Sequence, residues 1–262
     1  MNKLTISGKK LFIPFALLGF PDEETSFGII KRFIEGGADM LELGFPFSDP
    51  IADGPVLQAA NAKAVQAGIT TETCLRLLRR IRELTPIPIG LLLYANIVYQ
   101  QGIECFYQEC KGVGVTTLLV ADVPLEESAP FCEAAKKAGI GTVFIVSELT
   151  TPERLNEIIK RTTGFLYLVS SPGVTGVKKE LSHALPGVLR TLRSETSLPL
   201  FVGFGISTPE HVRQVCGAGA DGAICGSALV QKINANLDDK TRLLDEVGMM
   251  VKSMKEATRS KI

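Results

Sequence analysis

The chain has 262 residues, 45% of them apolar and 21% charged, the proportions of a globular protein with a sizeable core. Its 28 lysines and arginines balance 28 aspartates and glutamates, so no global field favours nucleic acid or an acidic membrane surface, and an anionic ligand must be caught locally. The six cysteines make no Cys-x-x-Cys pair and no regular framework, which fits free thiols in a reducing, cytoplasmic compartment.

The first apolar run is LFIPFALLG, residues 11–19. Lys9 and Lys10 before it imitate the start of a signal peptide. Pro14, the acidic PDEE that follows and the lack of an Ala-x-Ala site make it a strand instead. Further β-rich runs follow at 39–44 (DMLELG), 87–95 (IPIGLLLYA), 116–122 (TTLLVAD), 141–147 (GTVFIVS), 165–170 (FLYLVS), 198–205 (LPLFVGFG) and 222–229 (GAICGSAL). None approaches the roughly 18 apolar residues that a membrane span requires. Their near-continuous hydrophobicity suggests strands covered on both faces, hence a parallel sheet.

Helical patterns separate them, among them TSFGIIKRFIEGG (25–37), TTETCLRLLRRIREL (70–84) and TPERLNEIIKRT (151–162). Several open on Thr or Ser ahead of an acidic residue, an N-cap signal. Glycine recurs where a helix should end, as in EGGAD, KKAGIGT and GAGADGA. Eight strands alternating with helices in this length predict a (β/α)₈ TIM barrel, with residues 1–262 as one domain. Chemistry is then expected at the C-terminal ends of the strands.

At that end the second run supplies Glu42. Alternation puts Met40, Glu42 and Gly44 on one face and Leu41 and Leu43 on the other, so Glu42 points into the barrel if the leucines face the helices. A carboxyl desolvated there has a raised pKa and suits proton transfer near neutral pH. The alternative is a structural glutamate paired with a buried Lys or Arg, which none of the strand runs supplies. Asp49 and Asp53 follow in a loop stiffened by Pro46, Pro50 and Pro55. Both have the bland reading of turn residues. Asp53 also has a sharper one, a carboxylate held over the barrel mouth.

Glycine-rich turns close the sixth run (SSPGVTG, 170–176), the seventh (VGFGIST, 202–208) and the eighth (ICGSAL, 224–229). Each alone reads as a tight turn. Together, after three neighbouring strands of one barrel, they read as a backbone cradle for phosphate. The two histidines, His183 in a predicted helical stretch and His211 at the start of another, end no strand, so a protein metal site is not expected. Lys178 and Lys179 sit side by side in a polar loop and read as a solvated pair rather than a Schiff-base lysine.

The stretch ELGFPFSDPIADGP, together with PFALLGFPD, LLLYAN, LLVADVPLEES, SPGVTG, GFGIS and GSALV in order, closely resembles the tryptophan synthase alpha subunit family over nearly the whole chain. The resemblance implies retro-aldol cleavage of indole-3-glycerol phosphate to indole and glyceraldehyde 3-phosphate. Carried over motif by motif, Glu42 is the proton carrier and Asp53 stabilises positive charge at the indole N–H. Backbone groups at Gly176, Gly205, Gly226 and Ser227 hold the phosphate. Phe15, Leu92, Tyr94, Leu119, Tyr167 and Phe204 line the indole slot, and Thr175 meets Asp53 on loop closure. The family implies no cofactor in this chain, and a PLP-dependent beta subunit as partner in an α₂β₂ complex. Two positions depart from the family pattern: Ser171 stands where many members have arginine, and VSELTTPERL replaces a small proline-containing turn.

Overall fold

Near-continuous apolar runs bounded by turn residues form strands, and the amphipathic segments between them carry the chain back over the sheet. The computed structural model describes residues 8–169 and 181–259. Its strands are β1 (Leu11–Leu17), β2 (Leu41–Gly44), β3 (Ile89–Leu93), β4 (Thr117–Val120), β5 (Gly141–Thr142), β6 (Phe144–Val146), β7 (Leu166–Val169), β8 (Leu200–Gly203) and β9 (Gly222–Cys225). They pair in parallel in the order β5-β4-β3-β2-β1-β9-β8-β7-β6. β5 and β6 are the two halves of the fifth run, parted at Val143, whose N–H still donates to Leu118 O at 3.2 Å. One half pairs with β4 and the other with β7, which closes the sheet into a barrel.

The helices are α1 (Glu23–Glu35), α2 (Pro55–Gln66), α3 (Thr71–Leu84), α4 (Ala95–Gln101), α5 (Ile103–Gly112), α6 (Ala129–Ala138), α7 (Pro152–Arg161), α8 (Leu185–Glu195), α9 (Pro209–Gly217), α10 (Ser227–Asn234) and α11 (Lys240–Ala257). Thr70 and Thr151 cap α3 and α7 as the sequence signals suggest. α1 starts earlier than its pattern indicates. Asp22 is its N-cap and accepts from Thr25 N at 2.9 Å, which brings Glu23 and Glu24 into the first turn, where the helix dipole favours acids. His183 is not helical but lies in the turn before α8, whose second residue is Pro186. Among the described residues no helix is long and apolar enough to cross a membrane.

Strand alternation divides the apolar residues into two compartments. Leu41 and Leu43 join the outer one, between sheet and helices, with Phe12, Leu91, Leu118 and Leu168. Met40 joins the barrel interior with Ile13, Leu119, Val143, Phe165, Tyr167, Phe201 and Ile224. At the closed end, Asp39 accepts from Phe12 N at 2.7 Å and pairs with Lys255 Nζ at 2.7 Å, which ties α11 to the start of β1. The exposed Arg76–Glu23 and Arg80–Glu24 pairs link α1 to α3 and contribute little each.

Candidate active site

Glu42 stands in register between Phe15 of β1 and Gly90 of β3, two positions before the end of β2, and is 4% exposed. It shares the interior face with Met40, as alternation requires. Among the described residues no cation pairs with it, which speaks against the structural alternative of a buried ion pair. Burial pushes its carboxyl up to about 8, and the nearby Asp53 charge adds to the shift. At neutral pH Glu42 is therefore a protonated acid facing an open cavity.

Asp53 is held from several sides. Its backbone N–H donates to Pro50 O at 3.0 Å and closes the loop turn, and Tyr94 donates its hydroxyl to Oδ2 at 3.0 Å. Asn61, the seventh residue of α2, reaches Oδ2 at 3.4 Å while its own Oδ1 accepts from Phe47 N at 2.9 Å. Phe47 stacks on the Tyr94 ring at 5.1 Å. Burial raises the Asp53 carboxyl to about 6, against the Tyr94 hydrogen bond, which lowers it. The site thus holds two carboxyls whose environments set them apart: one neutral at pH 7, one ionised. Asp49, by contrast, is exposed beside Ser48 and acts as a turn residue, with Ile51 N donating to its carbonyl at 2.8 Å.

Removing the Tyr94 hydroxyl tests this division. Tyr94→Phe should raise the Asp53 pKa and move the acid limb of kcat/KM up by about one pH unit, the size of one hydrogen bond to a charged group. An unmoved limb in a pH–rate series would detach Tyr94 from Asp53.

The cavity between the two carboxyls has about 430 Å³ of empty space and is lined by Phe15, Leu92, Tyr167, Phe204, Ile224 and Leu57 on its apolar sides. Gly205, Ile206, Gly226 and Ser227 border it at the ends of β8 and β9. Phe204 has φ 62° and Gly205 φ 88°. The left-handed Phe204 costs about 1–2 kcal/mol. Its ring meets Tyr167 edge to face at 5.8 Å. Gly203 has to be glycine, because a Cβ there would fall 2.1 Å from the Tyr167 hydroxyl. Gly226 caps α10 and Ser227 begins it, so the first N–H groups of that helix lie at the cavity edge.

Most of the residues expected at the site from sequence converge there: Phe15, Glu42, Asp53, Leu92, Tyr167, Phe204, Gly205, Gly226 and Ser227 all line one cavity. Tyr94 lies behind Asp53 rather than in the wall, and Leu119 belongs to the interior cluster beneath the cavity. Thr175, Gly176 and Ser171, with Lys178 and Lys179, lie outside the described residues. The segment 147–150 forms a turn closed by Ser147 N to Thr150 Oγ1 at 3.0 Å, with Leu149 exposed. Leu57, Ile206, Ile224 and Asn61 were not anticipated. Ile224 alone had a signal, its inward position one residue before Cys225 in the eighth run.

Fold and site together define a (β/α)₈ barrel with two buried carboxyls, one raised to about 8 and one to about 6, beside an apolar cavity. The sequence profile of the tryptophan synthase alpha chain matches residues 1–259. The chain is 47% identical to the tryptophan synthase alpha chain of Methanothermobacter thermautotrophicus, over 94% of this chain and 91% of that one. It is 46% identical to that of Shewanella amazonensis, over 98% and 97%. The subunit solved in the tryptophan synthase α₂β₂ complex of Pyrococcus furiosus superposes with a TM-score of 0.87 at 34% identity, covering 94% of this chain and 98% of that one. The chain belongs to the tryptophan synthase alpha chain family, whose enzymes are lyases acting in the last stage of tryptophan biosynthesis.

Proposed function

We propose that Glu42 carries the proton in the cleavage of indole-3-glycerol phosphate, and that Asp53 holds the charge that this proton creates. The observation that carries the reading is a buried carboxyl, with no cation against it among the described residues, raised to about 8 on the floor of an apolar cavity. Protonated Glu42 delivers its proton to indole C3, and positive charge develops on the ring nitrogen. Asp53, ionised above about 6, accepts the N–H and stabilises that charge. Glu42, now a carboxylate, takes the proton from the glycerol hydroxyl on the carbon attached to C3. The C3–carbon bond breaks, its electron pair restores the indole ring, and the hydroxyl carbon becomes the aldehyde of glyceraldehyde 3-phosphate. Glu42 ends protonated, ready for the next turnover.

Phe15, Leu92, Tyr167 and Phe204 fit a flat aromatic ring, with Leu119 supporting the floor. Gly205, Gly226 and Ser227 offer backbone N–H groups and a helix N-terminus to the phosphate, and Gly176 and Thr175 would complete the grip from the sixth-run loop. No lysine lines the cavity among the described residues, which favours acid–base cleavage over a Schiff base. The partner is a beta subunit, for which the α₂β₂ complex of Pyrococcus furiosus is the precedent. PLP belongs to that subunit, and nothing in the proton transfer passes through it. Residues 1–262 serve as one domain, working in the cytoplasm.

The test is indole formation from indole-3-glycerol phosphate by the isolated chain, repeated with beta subunit. Release in both, faster in the complex, is expected. A chain that forms the complex and stimulates the beta subunit but releases no indole in either state would be a binding subunit rather than a lyase.

A further inference from the structure

His211 is 5% exposed, stands in the first turn of α9 and takes no part in the chemistry above. Its ring folds back onto the turn that leaves β8. Nδ1 lies 3.1 Å from Gly205 O, 3.3 Å from Ser207 N and 3.3 Å from Ser207 Oγ. Its own backbone N–H donates to Thr208 Oγ1 at 3.2 Å, which fixes the ring's starting point through the helix cap. The turn so braced is the strained one: Phe204 and Gly205 both have positive φ. Gly205 and Ile206 from the same turn border the cavity.

We propose that His211 is a positioning residue for the phosphate end of the site, holding the Phe204–Ser207 turn in the left-handed shape that aims its N–H groups at the anion. The inference rests on the phosphate reading of that cavity edge. One ring nitrogen cannot serve all three neighbours at once. With Nδ1 protonated it donates to the Gly205 carbonyl; with Nδ1 bare it accepts from the Ser207 N–H or hydroxyl. Either tautomer ties one side of the turn to the helix, and an apolar side chain ties neither. Loss of the brace lets Phe204 leave its strained conformation and turns the N–H groups away from the anion.

The experiment compares two ligands, an indole bearing a three-carbon chain that ends in phosphate and the same alcohol without it. The wild-type chain should bind the phosphate ester more tightly; equal binding would overturn the phosphate reading itself. His211→Phe keeps a flat ring, slightly larger, without its nitrogens and should lose about tenfold of that preference, with KM for substrate rising more than kcat falls. His211→Gln, whose amide both donates and accepts, should restore most of it. A preference unchanged in His211→Phe, or affinities for both ligands falling alike, would overturn the inference while leaving the phosphate reading standing. Should His211→Phe fail to fold, the wild-type chain supplies the test, because it holds only two histidines. Binding the phosphate ester, and not the alcohol, should shift the His211 ring nitrogen resonances. Unmoved His211 resonances in the saturated complex would overturn it.

Discussion

Replacing Glu42 by Gln is expected to lower kcat for indole release by about 10³-fold or more, in the range that general acid–base groups supply, while ligand affinity changes little. Gln fills the same volume and is neutral, as Glu42 is at pH 7, so the ground state loses no charge. What it loses is a transferable proton. Stability should move the other way. The folded carboxyl titrates at about 8 against an ordinary value of 4.5, so the native state holds the proton that the unfolded chain releases. The cost of burying Glu42 is absent below pH 4.5, grows as pH rises, and is complete above 8, where it amounts to several kcal/mol. Thermal melts of wild type and Glu42→Gln should therefore nearly coincide at pH 4.5 and separate as pH rises to 9, with the variant the more stable. Near-wild-type turnover, or melts that stay parallel, would contradict the assignment.

Asp53→Asn should cost about 10²–10³-fold in kcat, the size of one preorganised electrostatic contact to a developing charge. The amide can still accept from Tyr94 and fills the same space under Asn61, so the loop should keep its place. Its missing negative charge has a second readout. The Asp53 charge helps keep Glu42 protonated, after desolvation. In Asp53→Asn the alkaline limb of the residual activity should thus move to lower pH. A variant that loses rate with its alkaline limb unmoved would place Asp53 outside electrostatic reach of Glu42, contrary to the geometry.

These two residues were legible because each had a local signal. Glu42 breaks a six-residue apolar run at a position that strict alternation sends inward, and the structure puts Met40 and Glu42 on that interior face. Asp53 sits in a loop whose prolines restrict it. The barrel was legible for a similar reason, since all eight runs became strands, with the fifth broken at Val143. The residues that hold Asp53 were harder to find. Asn61 is an ordinary polar residue in a helix pattern, and only the fold brings it back to Asp53. The family resemblance alone puts Tyr94 in the wall of the slot, whereas in the structure its hydroxyl donates to Asp53. Leu57 and Ile206 come from a helix and a turn, where period-2 reasoning has no hold. The left-handed Phe204 had no signal beyond the glycine after it, because backbone strain at a non-glycine residue is imposed by tertiary contacts.

The most direct measurement of the central claim is kcat/KM for cleavage of indole-3-glycerol phosphate from pH 5 to 10. With Asp53 required ionised and Glu42 required protonated, the profile should be a bell, rising near pH 6 and falling near pH 8. A rate that stays on its plateau from pH 7 to 10 would mean that the reaction does not need a proton on Glu42, and would contradict the account.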